Sequence, residues 1–218
     1  MAVTVTNGHF SDLAWRDFRV VEGGGELGTD GPAGDWTWQE VRPRADLHIP
    51  RSRPYRDVPP VQPVENAKSR ARIVEDAKDR LAGKCSIAVH VQPSGNPIVL
   101  TWPAGKKAGI LLAGKTHLAF WSKIGNPNIH AWKGLMPVVT LYESAEKFAI
   151  LRPFDDRGNY PQINECRANW TWTVIPVAGN ALWRLQGELP DVVNYVTIEF
   201  YPWGSRPVTV WLDGMVLK

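Results

Sequence analysis

Apolar and polar positions alternate with a period of two through much of the last two thirds of the chain, the mark of half-buried strands. Ile87, Val89 and Val91 share one side of 86–91. Leu118, Phe120, Ser122 and Ile124 share one side of 118–124, opposite Ala119, Trp121 and Lys123. In 170–177, Thr171, Thr173 and Ile175 oppose Trp170, Trp172 and Val174. Segments 98–102 and 109–113 read as strands around a Gly-Lys-Lys turn. Segments 138–142 and 147–151 flank the polar turn Glu143-Ser144-Ala145-Glu146 and predict a hairpin. The last pair is the clearest. Over 195–201, Val196, Ile198 and Phe200 face inward while Thr197 and Glu199 face outward. After Pro202-Trp203-Gly204-Ser205 the chain returns with Val208, Val210 and Leu212 on one face. With 2–6 and 18–21 added, roughly nine to eleven strands are predicted, an all-β antiparallel sandwich or barrel.

Two stretches depart from this alternation. Positions 28–66 are rich in Pro, Arg and Gly with little periodicity, and read as a long loop insert. Over 65–81, Ile73, Ala77 and Leu81 recur at helical spacing, so a helix is expected, with a strand through 71–75 as the alternative. No internal repeat or domain boundary is visible, so 1–218 reads as a single module.

Composition narrows the function classes. A formal charge of +3 over 218 residues, with a sequence pI near 8.9, is not the footprint of a dedicated nucleic-acid binder. Hydrophobic residues at 44% suffice for a sizeable core. The 18 Pro and 19 Gly supply turns between short elements. The 11 Trp exceed what one core readily uses, and an indole face stacks well on the apolar face of a sugar ring. Cys85 and Cys166 allow one disulfide or none; Cys85 opens a core strand, which favours a buried free thiol. No apolar run follows Met1, so neither signal peptide nor membrane span is read, and the expectation is an excised module of a longer, secreted chain, monomeric and with no membrane or nucleic-acid partner.

Several segments, in order, carry a family resemblance: Asn7-Gly8-His9-Phe10 before Trp15; Gly83-Lys84-Cys85-Ser86-Ile87; Leu118-Ala119-Phe120-Trp121-Ser122-Lys123; Trp170-Thr171-Trp172-Thr173-Val174-Ile175-Pro176-Val177 with Trp183; and the closing Val208-Thr209-Val210-Trp211-Leu212-Asp213-Gly214. Over 1–27 and 83–218 the chain resembles the galactose-binding-domain-like jelly rolls found as carbohydrate-binding modules and accessory domains of bacterial polysaccharide-degrading enzymes. The insert at 28–66 has no counterpart in them. The resemblance implies a two-sheet jelly roll, non-catalytic binding of a plant or algal polysaccharide, and fusion to a catalytic domain. It assigns Trp121, Trp172, Trp183 and Trp211 to packing. It also implies one structural calcium ion held by the closing Asp213 and by an acidic residue after the first Phe; here Ser11 stands at that place and Asp12 follows it. Calcium needs six to eight oxygen ligands, more than these carboxylates provide.

Three segments carry ligand-binding chemistry. In 126–134, Trp132 offers a stacking face while Asn128, His130 and Lys133 can reach hydroxyls or a carboxylate; the alternative is that Trp132 folds back as a loop anchor. In 152–165, Arg152, Asp155, Tyr160 and Gln162 mix charge, amide and ring, and the alternative is a solvated loop of paired ions. In the insert, Trp36 and Trp38 precede Arg42, Arg44, Arg51, Arg53 and Arg56, a set suited to an acidic polysaccharide or to packing on the sandwich. Trp170 and Trp203 are left open.

An enzyme of this architecture would need a carboxylate pair for glycoside hydrolysis or a base beside a neutralising Arg for uronate elimination. No closely spaced Glu-x-Asp pattern, nucleophile elbow, phosphate loop or HExxH motif occurs, and His9, His48, His90, His117 and His130 are scattered. A jelly-roll lyase or hydrolase, and a purely structural or protein-interaction domain, stand as the alternatives to a binding module.

Overall fold

A computed structural model describes residues 4–5, 25–42, 70–94, 96–125, 138–153, 170–180, 183–200 and 206–218. Its strands are β1 (Thr4–Val5), β2 (Thr37–Glu40), β3 (Ala71–Asp76), β4 (Ser86–Val91), β5 (Ile98–Trp102), β6 (Ile110–Leu111), β7 (His117–Ile124), β8 (Val138–Tyr142), β9 (Phe148–Pro153), β10 (Thr171–Pro176), β11 (Trp183–Gly187), β12 (Val192–Val193), β13 (Tyr195–Phe200) and β14 (Val208–Leu217). Sheet A runs β1-β10-β7-β14-β4-β3, sheet B runs β11-β9-β8-β13-β5-β2, and β12 pairs with β6 in a two-stranded ribbon. All pairings are antiparallel except β1 with β10. The architecture is a two-sheet antiparallel β-sandwich of the jelly-roll class.

The alternation explains the layers. Ile87, Val89 and Val91 of β4, Leu118 and Phe120 of β7, and Val210 and Leu212 of β14 point inward from sheet A. They meet Ile98 and Leu100 of β5, Val139 and Leu141 of β8, Leu151 of β9, Trp183 of β11, and Val196, Ile198 and Phe200 of β13. Each of these fully buried side chains stabilises the fold by about 1.5–3 kcal/mol relative to exposure. Cys85 is a buried free thiol whose titration burial pushes up; Cys166 lies outside the described residues.

Three expectations are corrected. Residues 71–76, where helical spacing favoured a helix, form strand β3, paired along its whole length with β4 from Ala71↔Val91 to Asp76↔Ser86. A ready partner edge outweighed the weak three-point helical pattern. The loop expected from 28 onward is structured in its first part. After a short 3-10 turn at Ala33–Asp35, β2 pairs with β5 from Thr37↔Thr101 to Glu40↔Ile98. Buried Glu40 holds that edge, accepting hydrogen bonds from Ser94 Oγ at 2.8 Å and Asn96 Nδ2 at 2.7 Å. Among the described residues the strands number fourteen, with β2, β11 and β12 added to those expected; two-residue β12 carries too little pattern to be read.

Near its end β14 is irregular. Its register with β7 shifts between Asp213 and Val216, so Leu212 and Met215 both face the core with Asp213-Gly214 bulged between them. Gly214 adopts φ +56°, the left-handed conformation that a bulge of this kind requires.

Candidate functional site

Both sheets have an outer face, and the registers show what each presents. On sheet A, Trp172 lies directly across from Trp121, and their ring centroids are 4.9 Å apart with planes tilted by 44°. Trp170, Ala119 and Val216 join them in a second buried cluster, with Leu81, Val174 and Trp211 packed at its margin. The Trp211 indole N–H donates to Asp76 Oδ2 at 2.9 Å, and Lys123 Nζ sits 5.0 Å from the centre of its ring. A Cβ on Gly125 would meet that ring at 2.7 Å, so glycine is what lets the indole lie flat there.

The loop 77–85 closes over this cluster and is laced by carboxylates. Asp213 is fully buried; its Oδ2 accepts from Leu81 N at 2.6 Å and Ala82 N at 2.9 Å, and its Oδ1 from Gly214 N at 2.7 Å. Burial pushes its carboxyl above the usual range, and these N–H groups pull the other way. Asp30 Oδ1 accepts from Lys84 N and from Cys85 N at 2.8 Å. Asp76 Oδ1 accepts from Lys78 N and Asp79 N, and the Trp211 N–H bond is the largest cause holding its carboxyl below the usual range.

On the outer face of sheet B, the cross-strand partners fall into rows. One row is Arg184, Arg152, Val138, Glu199, Val99 and Gln39; the next is Gln186, Ile150, Thr140, Thr197, Thr101 and Thr37. Beyond these stand Phe148, Tyr142 and Tyr195, with Tyr142 directly opposite Tyr195 and its ring 5.6 Å from Phe148. Here the surface opens into a depression of about 500 Å³ lined by Tyr142, Tyr195, Thr197, Thr101, Gln39 and Lys107, among others. The Glu143-Ser144-Ala145 turn between β8 and β9 forms one wall.

The walls are anchored through their backbone. Asn194 N donates to Tyr142 O at 2.7 Å, Asn194 Nδ2 to Glu143 O at 2.8 Å, and Ala108 N to Asn194 O at 2.9 Å. The Glu143 carboxylate accepts from Asp191 N at 2.8 Å, the largest cause of its lowered pKa, and lies 3.3 Å from Lys147 Nζ. Lys147 also contacts Asp191 Oδ2 at 2.5 Å, the main cause of its raised pKa. By contrast Gln39, Thr101, Lys107, Tyr195 and Thr197 make no side-chain hydrogen bond or ion pair among the described residues. Thr197 is only 6% exposed, so its side chain presents little more than the part that lines the hollow.

The structure places the sequence-derived candidates unevenly. Trp36 is 4% exposed, packed in the main core with its indole N–H donating to Gly28 O at 3.0 Å, which is the packing alternative and not the ligand platform. Trp38 is half-buried against the same core. Arg152 is 1% exposed, too covered for a rim contact, and sits beyond Val138 from Glu199 in the row. Asn128, His130, Trp132, Lys133, Asp155, Tyr160, Gln162 and Trp203 lie outside the described residues, as does Asp12. Both oxygens of Asp213 accept backbone N–H groups of the fold, and Asp12, the other expected calcium ligand, lies outside the described residues. Among the described residues no group of three or more His, Cys, Asp or Glu is placed to hold a metal.

The sequence reading missed the Tyr142–Tyr195 depression. The signal was available, because Tyr195 shares the outward parity of Thr197 and Glu199.

No family model matches the chain, and no curated protein does. Among solved structures it is similar to a carbohydrate-binding module from the β-sandwich superfamily, at 12% identity and a TM-score of 0.42, over 92% of this chain and 63% of that one. It is also similar to the C-terminal family 22 carbohydrate-binding module of a Clostridium thermocellum protein, at 10% identity and a TM-score of 0.32, over 90% of this chain and 96% of that one. A third is the K1 cleaved adhesin domain of Lys-gingipain from Porphyromonas gingivalis, at 14% and 0.34, over 86% and 95%. At such identities and scores these likenesses carry no argument about ligand. Among the described residues no helix is long and apolar enough to cross a membrane.

Proposed function

We propose that the chain binds carbohydrate, without acting on it, in the depression on the outer face of sheet B. The observation that carries this reading is the set of polar side chains around one hollow that make no hydrogen bond among the described residues: Gln39, Thr101, Tyr195 and Thr197, with Tyr142 across from Tyr195. A sugar presents an apolar ring face and a rim of hydroxyls. Tyrosine rings answer the first, and threonine hydroxyls and an amide answer the second. Neighbouring strands are spaced by about 4.7–4.9 Å. The row Thr37–Thr101–Thr197 therefore offers hydroxyls at intervals close to the length of one pyranose, along a path that crosses the strands.

Chemistry on the sugar is not supported at this hollow. Hydrolysis needs two carboxylates, one of them free to exchange a proton. Glu143 is the carboxylate among the lining residues, and backbone N–H groups and Lys147 already engage it. As part of a longer secreted protein, such a module would hold an attached enzyme near a plant or algal polysaccharide, raising its effective concentration there.

The test is affinity electrophoresis through gels containing plant and algal polysaccharides, run beside an assay for released reducing ends. The expected result is retardation by at least one polymer with no sugar ends released, and a loss of about tenfold in affinity for Tyr195→Ala, equivalent to about 1.4 kcal/mol. Retention of full affinity by Tyr195→Ala with its fold intact would place the site elsewhere. Release of sugar ends would make the chain an enzyme.

A further inference from the structure

We infer that the ligand of this face is an anionic sugar chain, its carboxylate or sulfate group meeting the ammonium of Lys107. The inference rests on the carbohydrate reading above and names its chemical class.

The charges around the hollow divide sharply. Glu143 is bound by Asp191 N, Val192 N and Lys147, and Lys147 is in turn bound by Asp191. That group is closed on itself. Lys107, also lining the hollow, is exposed and has no acidic partner among the described residues, and its neighbour Lys106 is exposed as well. The charge a ligand meets as uncommitted is therefore positive.

The backbone that carries this cation is tied to the fold. Ala108 N donates to Asn194 O, and Asn194 is itself held by Tyr142 O and Glu143 O. The residue after Asn194 is Tyr195, so the ammonium and the stacking ring are carried by segments tied to one anchor. A pyranose stacked on Tyr195 would bring a ring substituent toward Lys107. Along the same path, Thr101, Thr197 and Gln39 supply neutral contacts that take any sugar's hydroxyls. Neutral contacts thus give binding, and Lys107 gives preference.

An exposed ammonium–anion contact is weak and salt-sensitive, so the preference is modest. The test compares three polymers: polygalacturonate, which carries carboxylates; a sulfated galactan; and a neutral galactan. Binding is measured at low salt and at about 0.5 M salt. The expected result is about fivefold tighter binding of one anionic polymer than of the neutral one at low salt, lost at high salt. The arm that shows it identifies carboxylate or sulfate. Lys107→Gln should bring that arm down to the neutral level, with the thermal midpoint unchanged, and Lys107→Arg should keep the preference. Equal binding of all three polymers, or a preference that survives Lys107→Gln, overturns the inference while the carbohydrate reading stands. Silence on all three, and on the wider panel of neutral polymers, overturns both.

Discussion

The two outer faces of the sandwich are built by the same alternation and end in opposite conditions. On sheet A the outward positions carry Trp121, Trp172 and Trp211, and a loop closes over them with Asp30, Asp76 and Asp213 accepting its backbone N–H groups. On sheet B the outward positions carry threonines, Gln39 and the Tyr142–Tyr195 pair, and the side chains of Gln39, Thr101, Tyr195 and Thr197 make no hydrogen bond among the described residues. Large aromatic side chains therefore do not by themselves mark a binding surface. What separates the faces is whether the polar groups bond within the fold or face solvent. A face whose polar groups bond within the fold stabilises it; one whose polar groups face water has them free to meet a ligand.

Substitutions on the two faces should move different quantities. The largest effect on stability is expected for Trp172→Ala, which removes the ring packed at a tilt against Trp121 from a buried cluster: about 3–5 kcal/mol, read as a lower thermal midpoint, with sugar binding retained in the folded fraction. Next comes Asp213→Asn. Its amide puts an N–H₂ group where a carboxylate oxygen now accepts, leaving backbone N–H groups of the 77–85 loop without an acceptor, at about 1–3 kcal/mol. Chemical denaturation checks it. A midpoint equal to wild type would show that the loop is held by other contacts.

A smaller effect concerns pH. The Asp76 carboxyl is held low by the Trp211 N–H, so its contribution to stability is complete above the unfolded-state value and is lost as pH falls through the lower folded value. Thermal midpoints below about pH 4 should therefore fall less steeply in Asp76→Asn than in wild type. Asp213 has the opposite sign: its carboxyl is raised, so its contribution is largest in acid and declines as pH rises through the folded value. The smallest change in stability is expected for Tyr195→Ala, within about 0.5 kcal/mol, although that variant should lose most binding. If it unfolds the protein instead, the contrast between the faces fails.

How much of this was legible from residues alone follows from the length of each signal. The paired strands β13 and β14 were plain, since Val196, Ile198, Phe200 and Val208, Val210, Leu212 alternate over enough positions to fix their faces. Strand β3 was misread because Ile73, Ala77 and Leu81 mimic a helical stripe, while its real determinant is the distant edge of β4. The Asp213-Gly214 bulge could not be seen, because one extra residue in β14 becomes visible only against the register of β7. Trp36 was a plausible platform in a Pro-rich segment, and nothing local revealed that Gly28 O would accept its N–H. The depression was least legible of all. Gln39, Thr101, Tyr142 and Tyr195 come from separate strands, and only the register sets them side by side.

The most direct test of the central claim is a titration of the ¹⁵N-labelled chain with an oligosaccharide of whichever polymer retards it, followed by amide and indole chemical shifts. Shifts concentrated at Gln39, Thr101, Tyr195 and Thr197, with the indole signals of Trp121, Trp172 and Trp211 unmoved, are the predicted result. Movement confined to those indoles, with the sheet B amides still, would contradict it.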